Sequence, residues 1–179
     1  MPTPENDNAW IQTFSGRKFY ILEPRVEDVH IEDIAHALSL LTRFTGHTRE
    51  FYSVAQHSVL VSRVCDPVDA LGGLLHDASE AYLADLNSPL KHSPEMSRYR
   101  TAERRVQEVI RERFGLPKEP GSVKLADKRL LVTEKRDLMT AGPERGYFTD
   151  IEPLSIKITP LPPQVAEKIF LERFQELSA

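Results

Sequence analysis

From residue 31 onward, apolar side chains return every three or four positions in one segment after another, the spacing that gives a helix a single buried face. The longest instance is Tyr99, Ala102, Val106, Val109, Ile110 and Phe114, opened by the capping pair Ser93-Pro94 and closed by Gly115 and Pro117. Ile31, Ile34, Leu38 and Leu41 predict a helix over 31–41. Val54, Val61 and Val64, with His57 among them, predict another over 52–64 that stops before Asp66-Pro67. Asp66 as N-cap with Pro67 at the first helical position predicts a continuous helix from there to Ala84, turning Leu71, Leu74, Leu75 and Ala78 inward and ended by Asn87-Ser-Pro. Helices over 122–139 and 163–177 complete the set, the last with Val165, Ile169, Phe170 and Phe174 apolar. Outside them, residues 10–22 alternate loosely around Ser15-Gly16 and read as a short hairpin, and 43–49 reads as a loop centred on Gly46. After Gly142-Pro143 the chain reads as irregular, with a short strand expected over 156–158. The expected fold is all-α, a helical bundle with a short N-terminal β-hairpin and a minor C-terminal β decoration.

The 179 residues, 40% of them hydrophobic, suit one domain over 1–179, and neither repeats nor a linker interrupt them. A net charge of −4 supplies no basic surplus, so neither a nucleic-acid duplex nor an anionic membrane is an expected partner. Cys65 is the single cysteine and cannot form an internal disulfide; a reducing cytoplasm fits best. The start, Met1-Pro-Thr-Pro-Glu-Asn-Asp-Asn, is acidic and proline-bearing, unlike a secretory signal. No apolar run approaches the ~20 residues that span a bilayer.

Polar residues standing where the helical period asks for apolar ones carry the chemical information, because an unpaired buried charge is costly. Asp127 lies four residues after Val123 and four before Leu131, on the face that Val123, Leu130 and Leu131 define, so its carboxylate is expected to point into the core. His76-Asp77 follows the apolar run Leu71-Gly-Gly-Leu-Leu75, and His57 lies near the face of Val54 and Val61. Two imidazoles and two carboxylates converging inside a bundle would supply N and O ligands for one divalent ion. Manganese, cobalt, zinc, iron, nickel or magnesium would suit that set.

In order, His57, then Leu-Leu-His76-Asp77-Ala-Ser-Glu80, then Lys-Leu-Ala-Asp127 resembles the H…HD…D signature of the HD-domain phosphohydrolases. The likeness is greatest to the small bacterial and phage branch containing 5'-deoxynucleotidases and a phage dATP triphosphohydrolase. It covers residues 31–140 and includes Arg43-Phe44, Gln56-His57-Ser58, Asp85-Leu86 and Pro89-Leu-Lys91. The resemblance implies an all-α bundle with a single divalent ion on His57, His76, Asp77 and Asp127. Glu80, one turn beyond His76, becomes the candidate general base or proton relay, and Asp85 a candidate to protonate a leaving 5'-oxygen or hold a sugar hydroxyl. Arg43 and Lys91 are expected as phosphate contacts, with Phe44 at the nucleotide site, where some relatives carry Trp. His47 and Arg49 share that loop and could add phosphate contacts, and Glu134 could support Arg43 or a ligand histidine. The stripe from Tyr99 to Phe114 and the pair Phe170 and Phe174 read as core or subunit contact, and a homo-oligomer is expected.

The expected activity is hydrolysis of a deoxynucleoside 5'-monophosphate. The rival within the same chemistry is a triphosphohydrolase releasing intact triphosphate from a substrate such as dATP. A rival of another class is a nucleotide-binding sensor whose metal serves only the fold.

Overall fold

The computed structural model describes residues 9–118, 120–142 and 150–178. The expectations placed on residues 1–8 and on the irregular stretch 143–149 lie outside the described residues. Among these, eight α-helices and one two-stranded sheet form the fold, an all-α architecture with an N-terminal hairpin. No helix among the described residues is long and apolar enough to cross a membrane.

β1 (Ile11–Gln12) and β2 (Lys18–Phe19) pair antiparallel, Ile11 opposite Phe19. Gly16 takes the left-handed conformation their turn requires, at φ +81°. The turn is tied to α1 (Ile31–Leu40) by buried Asp33, whose carboxylate accepts from Ser15 N at 2.7 Å and Ser15 Oγ at 2.8 Å. α2 (Val54–Val64) is capped by Ser53 and is the innermost element; every residue from Val54 to Val59 is buried, a helix surrounded rather than laid on a surface. α1, α3 (Ala70–Leu74), α7 (Gly121–Leu138) and α8 (Pro163–Ser178) pack around it. Phe170 of α8 is fully buried in the main core beside Ile34, Leu38, Val59 and Leu74, and Phe174 meets Phe114 edge to face at 5.3 Å. α6 (Ser97–Phe114) buries Ala102, Val106 and Ile110 and stops at Gly115, which is left-handed at φ +64°.

Two expectations are corrected. The helix predicted from Pro67 to Ala84 is broken: a 3₁₀ turn over Pro67–Asp69 leads into α3, the chain leaves helical geometry at Leu75, and α4 (Glu80–Leu83) begins only after a wound turn. Asp66 makes no side-chain cap, and Asn87 does not end a helix but caps the short α5 (Ser88–Lys91) through Leu90 N. The strand predicted over 156–158 and the C-terminal β decoration are absent from the described residues. That stretch gives its backbone groups to side chains instead: Leu154 N to Thr133, Leu154 O to Arg136, Ile158 N to Asp137, and Thr159 O and Leu161 N to the two ends of the Gln56 amide. A backbone satisfied in this way has no need of a partner strand.

α3 reaches α2 through Gly73. A Cβ there would stand 2.8 Å from Cys65 Sγ and 3.2 Å from Ser62 Cα, closer than atoms pack, whereas one at Gly72 would meet nothing within 4 Å. Gly73→Ala is therefore expected to cost about 1–3 kcal/mol of stability by overpacking. Gly72→Ala should stay within about 1 kcal/mol of the parent. Urea unfolding of the two variants checks this, and equal losses would remove the role given to close approach.

Candidate metal centre

α2 carries His57 inward with no exposed surface, so both ring nitrogens must find partners inside the protein. Nδ1 finds one, 2.6 Å from Glu134 Oε1. His76, in the turn after α3, sets its Nδ1 2.8 Å from the carbonyl of Gly73. A carboxylate and a carbonyl only accept, so Nδ1 is the N–H on both rings and each Nε2 is left to offer its lone pair. Both Nε2 atoms are buried and neither makes a hydrogen bond.

These two nitrogens point to one place. One atom each from His57, His76 and Asp127 lie within 4.8 Å of one another, and Asp127 Oδ1 is 3.2 Å from His57 Nε2. Asp77 Oδ2 adjoins them, 3.2 Å from His76 Nε2 and 3.8 Å from His57 Nε2. Three of the four residues expected as ligands, His57, His76 and Asp127, are thus gathered from α2, the turn after α3, and α7, with Asp77 beside the two histidines but outside that mutual group. Asp127 is not sunk in the core as its spacing suggested. Ala126 takes the inward position and the Asp127 side chain keeps 39% exposure, which leaves the cluster open to solvent on its side.

Behind the cluster lies Glu134, fully buried, whose Oε1 accepts from Tyr52 OH at 2.9 Å as well as from His57, and whose Oε2 accepts from Arg43 Nη2 at 3.1 Å. Arg43 and Tyr52 reach it together because a bridge between Thr42 and Ser53 closes the loop at its base, with Arg43 N bonded to Tyr52 O and Val54 N to Leu41 O. Arg43 Nη1 also lies 3.6 Å from Asp77 Oδ2, so its fork is committed to two carboxylates, and Nε alone is buried without a partner. Glu134 supports both groups suggested for it, the arginine and a ligand histidine. Tyr52 went unnoticed in the sequence, where nothing distinguishes it from a core aromatic.

The charges are consistent with a cation. Against burial, the Arg43, His57 and Tyr52 groups hold Glu134 down to about 2. Asp77 and Asp127 are also lowered, against burial, chiefly by His76 and by His57 respectively. With both imidazoles neutral, as ligands to a metal must be, three carboxylates stand against one guanidinium, Arg43, an excess of two negative charges that a divalent ion would balance. The same excess outweighs burial and the repulsion of Arg43 to push His57 up to about 9, through Glu134 and Asp127.

Glu80 and Asp85 differ. Burial, and then Asp77 and Asp85, raise Glu80 well above the carboxylate range, and Oε2 is buried without a partner. Burial likewise raises Asp85. Because the helix is broken, Glu80 does not stack on His76 as a continuous helix would require. The turn is wound in i→i−3 bonds, with Glu80 N on Asp77 O, which aligns Glu80 with Asp77. Lys91 Nζ is held 2.5 Å from Glu103 and reaches only to 4.0 Å from Glu80, at the rim. Phe44 packs 5.5 Å from the Arg43 guanidinium. His47 is exposed, and Arg49 bonds Leu138 O and Asp137 O, tying the loop to the end of α7 rather than facing the cluster. Three residues without the freedom of glycine hold positive φ in the flanking loops: Phe44, Thr45 and Ala84. Each such position costs about 1–3 kcal/mol and persists only where its surroundings hold it.

No protein-family model matches the chain. It is 41% identical over 176 residues to the uncharacterized protein YfdR of Escherichia coli (strain K12), a span covering 95% of this chain and 96% of that protein. An uncharacterized Rhodobacter capsulatus protein is 37% identical over 118 residues, 61% of this chain and 60% of its own length.

Removing Glu134 would strand Arg43, His57 and Tyr52 together. Glu134→Ala is expected to lower stability by about 3–5 kcal/mol, the cost of breaking a buried charge network. Tyr52→Phe, which removes one hydrogen bond to it, should cost about 1–2 kcal/mol. Chemical denaturation of both variants measures this, and a Glu134→Ala loss no larger than that of Tyr52→Phe would contradict the network.

Proposed function

We propose, for a chain that belongs to the family of the Escherichia coli protein YfdR, that the cluster is the centre of a divalent-metal-dependent phosphohydrolase of the HD type. Its substrate on this reading is a deoxynucleoside 5'-monophosphate, released as deoxynucleoside and phosphate. The observation that carries it is the pair of buried imidazole nitrogens, each with its sister nitrogen committed to an acceptor, converging on the carboxylates of Asp77 and Asp127. Such donors suit a borderline divalent ion. The order of motifs along the chain, H…HD…D with Arg43-Phe44 before and Asp85 and Lys91 between, supports the substrate class by resemblance.

An ion seated on His57, His76, Asp77 and Asp127 would polarise a phosphoryl oxygen and acidify a water molecule. The residues around it supply the rest. Glu80, whose proton is retained into a higher range by burial and by Asp77 and Asp85, takes and returns a proton beside the reacting phosphate. Asp85, also raised by burial, is the acid for the leaving 5'-oxygen. Arg43 and Lys91 lend positive potential to the phosphate, Arg43 from behind Asp77 and Lys91 from the rim. Phe44 offers its face to the nucleoside. Glu134 keeps the Nδ1 proton on His57 and so fixes which nitrogen faces the ion.

Incubation of the purified protein with Mn²⁺ or Co²⁺ and, separately, dAMP and dATP tests the proposal by chromatography of the products. Deoxyadenosine and phosphate from dAMP, with dATP untouched, is the expected result. Intact triphosphate from dATP would replace the monophosphate reading with a triphosphohydrolase, and no product from either would move the site to sensing. Asp127→Ala is expected to lose metal and turnover together, and full activity in that variant would sink the site assignment. Glu80→Gln should lower turnover by about 100-fold or more, the usual scale of general acid and base contributions, while metal content persists.

A further inference from the structure

In a continuous helix the N–H of Ser79 would bond the carbonyl of Leu75, four residues back. It does not. The side-chain amide of Gln107, on α6, occupies that bond: its Oε1 accepts from Ser79 N at 3.1 Å and its Nε2 donates to Leu75 O at 2.8 Å. One amide thus stands in for both halves of a helical hydrogen bond, and a side chain inserted into the ladder breaks or kinks a helix.

The consequences fall on the candidate ligands. With the helix interrupted at Leu75, the Gly73 carbonyl, whose helical partner would be Asp77 N–H, accepts instead from His76 Nδ1 at 2.8 Å. That bond fixes the His76 tautomer and leaves Nε2 facing the cluster, 3.2 Å from Asp77 Oδ2. Beyond the break the chain winds in i→i−3 bonds, Ala78 N to Leu75 O, Glu80 N to Asp77 O and Tyr82 N to Ser79 O, which aligns Asp77 with Glu80.

We propose that Gln107 is a positioning residue, whose amide replaces the Ser79–Leu75 helical bond and thereby holds His76, Asp77 and Glu80 in the arrangement of the site. The apolar spacing of α6 gives no hint of this role, because Gln107 stands between Val106 and Val109 on a partly buried flank. It belongs to a second stripe on the same helix at positions 99, 103 and 107. Tyr99 OH donates to Ala84 O at 2.9 Å, and Glu103 holds Lys91. The proposal rests on the reading of the cluster as a divalent-ion site for its binding readout, though not for its structural one.

Titration of the full chain with Co²⁺, followed by visible absorption and calorimetry, tests it in Gln107→Leu, which keeps the bulk and removes both bonds, and in Gln107→Glu, which keeps the acceptor for Ser79 and removes the donor to Leu75. The expected result is a Co²⁺ affinity lower by about 10-fold or more in Gln107→Leu, the usual scale for residues that orient ligands, and an intermediate loss in Gln107→Glu. The unfolding temperature measured in chelator should move little. Parental affinity and spectrum in Gln107→Leu would overturn the proposal, and if that variant fails to fold, parental affinity in Gln107→Glu would do so. A crystal structure of the folded variant separates this from the metal reading. If the parent itself binds no Co²⁺, the metal reading falls, whereas Ser79 N bonded to Leu75 O in the variant, with His76 turned from Gly73, upholds the role of Gln107, and an unchanged break refutes it.

Discussion

A carboxylate without solvent contact must find every partner inside the protein, and Glu134 finds three, from an arginine, a tyrosine and a histidine. Together they tie two constraints to α7. Tyr52 and Arg43 bring the closed base of the 43–52 loop, and His57 brings the innermost helix. Because Glu134 and Asp127 are on the same helix, two turns apart, the element that sets the His57 tautomer also presents a carboxylate to the nitrogen thereby exposed. Fold and site share this one buried charge. The interior can bear it because guanidinium, hydroxyl and imidazole together satisfy both of its oxygens.

His57 was legible as a buried polar residue because helical periodicity places it on an apolar face of a long, regular helix, whereas the same reasoning put Asp127 in the core, where Ala126 stands instead. Glu134 was legible for a related reason, its spacing of seven from Asp127. The hairpin followed from the turn at Ser15-Gly16 and the end of α6 from Gly115, signals that act within a few residues, whereas neither Asp66 nor Ser93 makes the side-chain cap expected of it, and α6 opens at Ser97 after a 3₁₀ turn over Pro94–Met96. What the sequence did not yield depends on partners distant along the chain. The helix expected through Ala84 has adequate local propensity, and it breaks where an amide from α6, 28 residues beyond Ser79, takes its hydrogen bond. The strand expected at 156–158 fails similarly, since Arg136 and Asp137 of α7 serve its backbone. Periodicity finds which residues are buried. It is silent on which buried polar groups replace backbone partners.

The loops around the cluster show where the fold bears strain. Phe44 and Thr45 adopt left-handed conformations beside Arg43, and Ala84 has φ +69° and ψ +158°, a region that otherwise belongs to glycine, just before Asp85. Each is tied down by a side chain. Arg49 clips the first loop to the end of α7, and Tyr99 holds the carbonyl of Ala84. The candidate acid and the candidate nucleotide contact thus sit on backbone whose shape is imposed by neighbouring helices.

Tyr99, Glu103 and Gln107 stand four residues apart on α6, and each grips a different point of the segment from Leu75 to Lys91. Such spacing works as a ruler. Adding or deleting a single residue between 99 and 107 would rotate one end of the stripe by about 100° against the other, so that the three grips could not all close at once. The nine residues from Tyr99 to Gln107 are thereby fixed in number as well as in their three gripping side chains, and an insertion or deletion is better borne at the turn that follows Gly115, where no such spacing is kept.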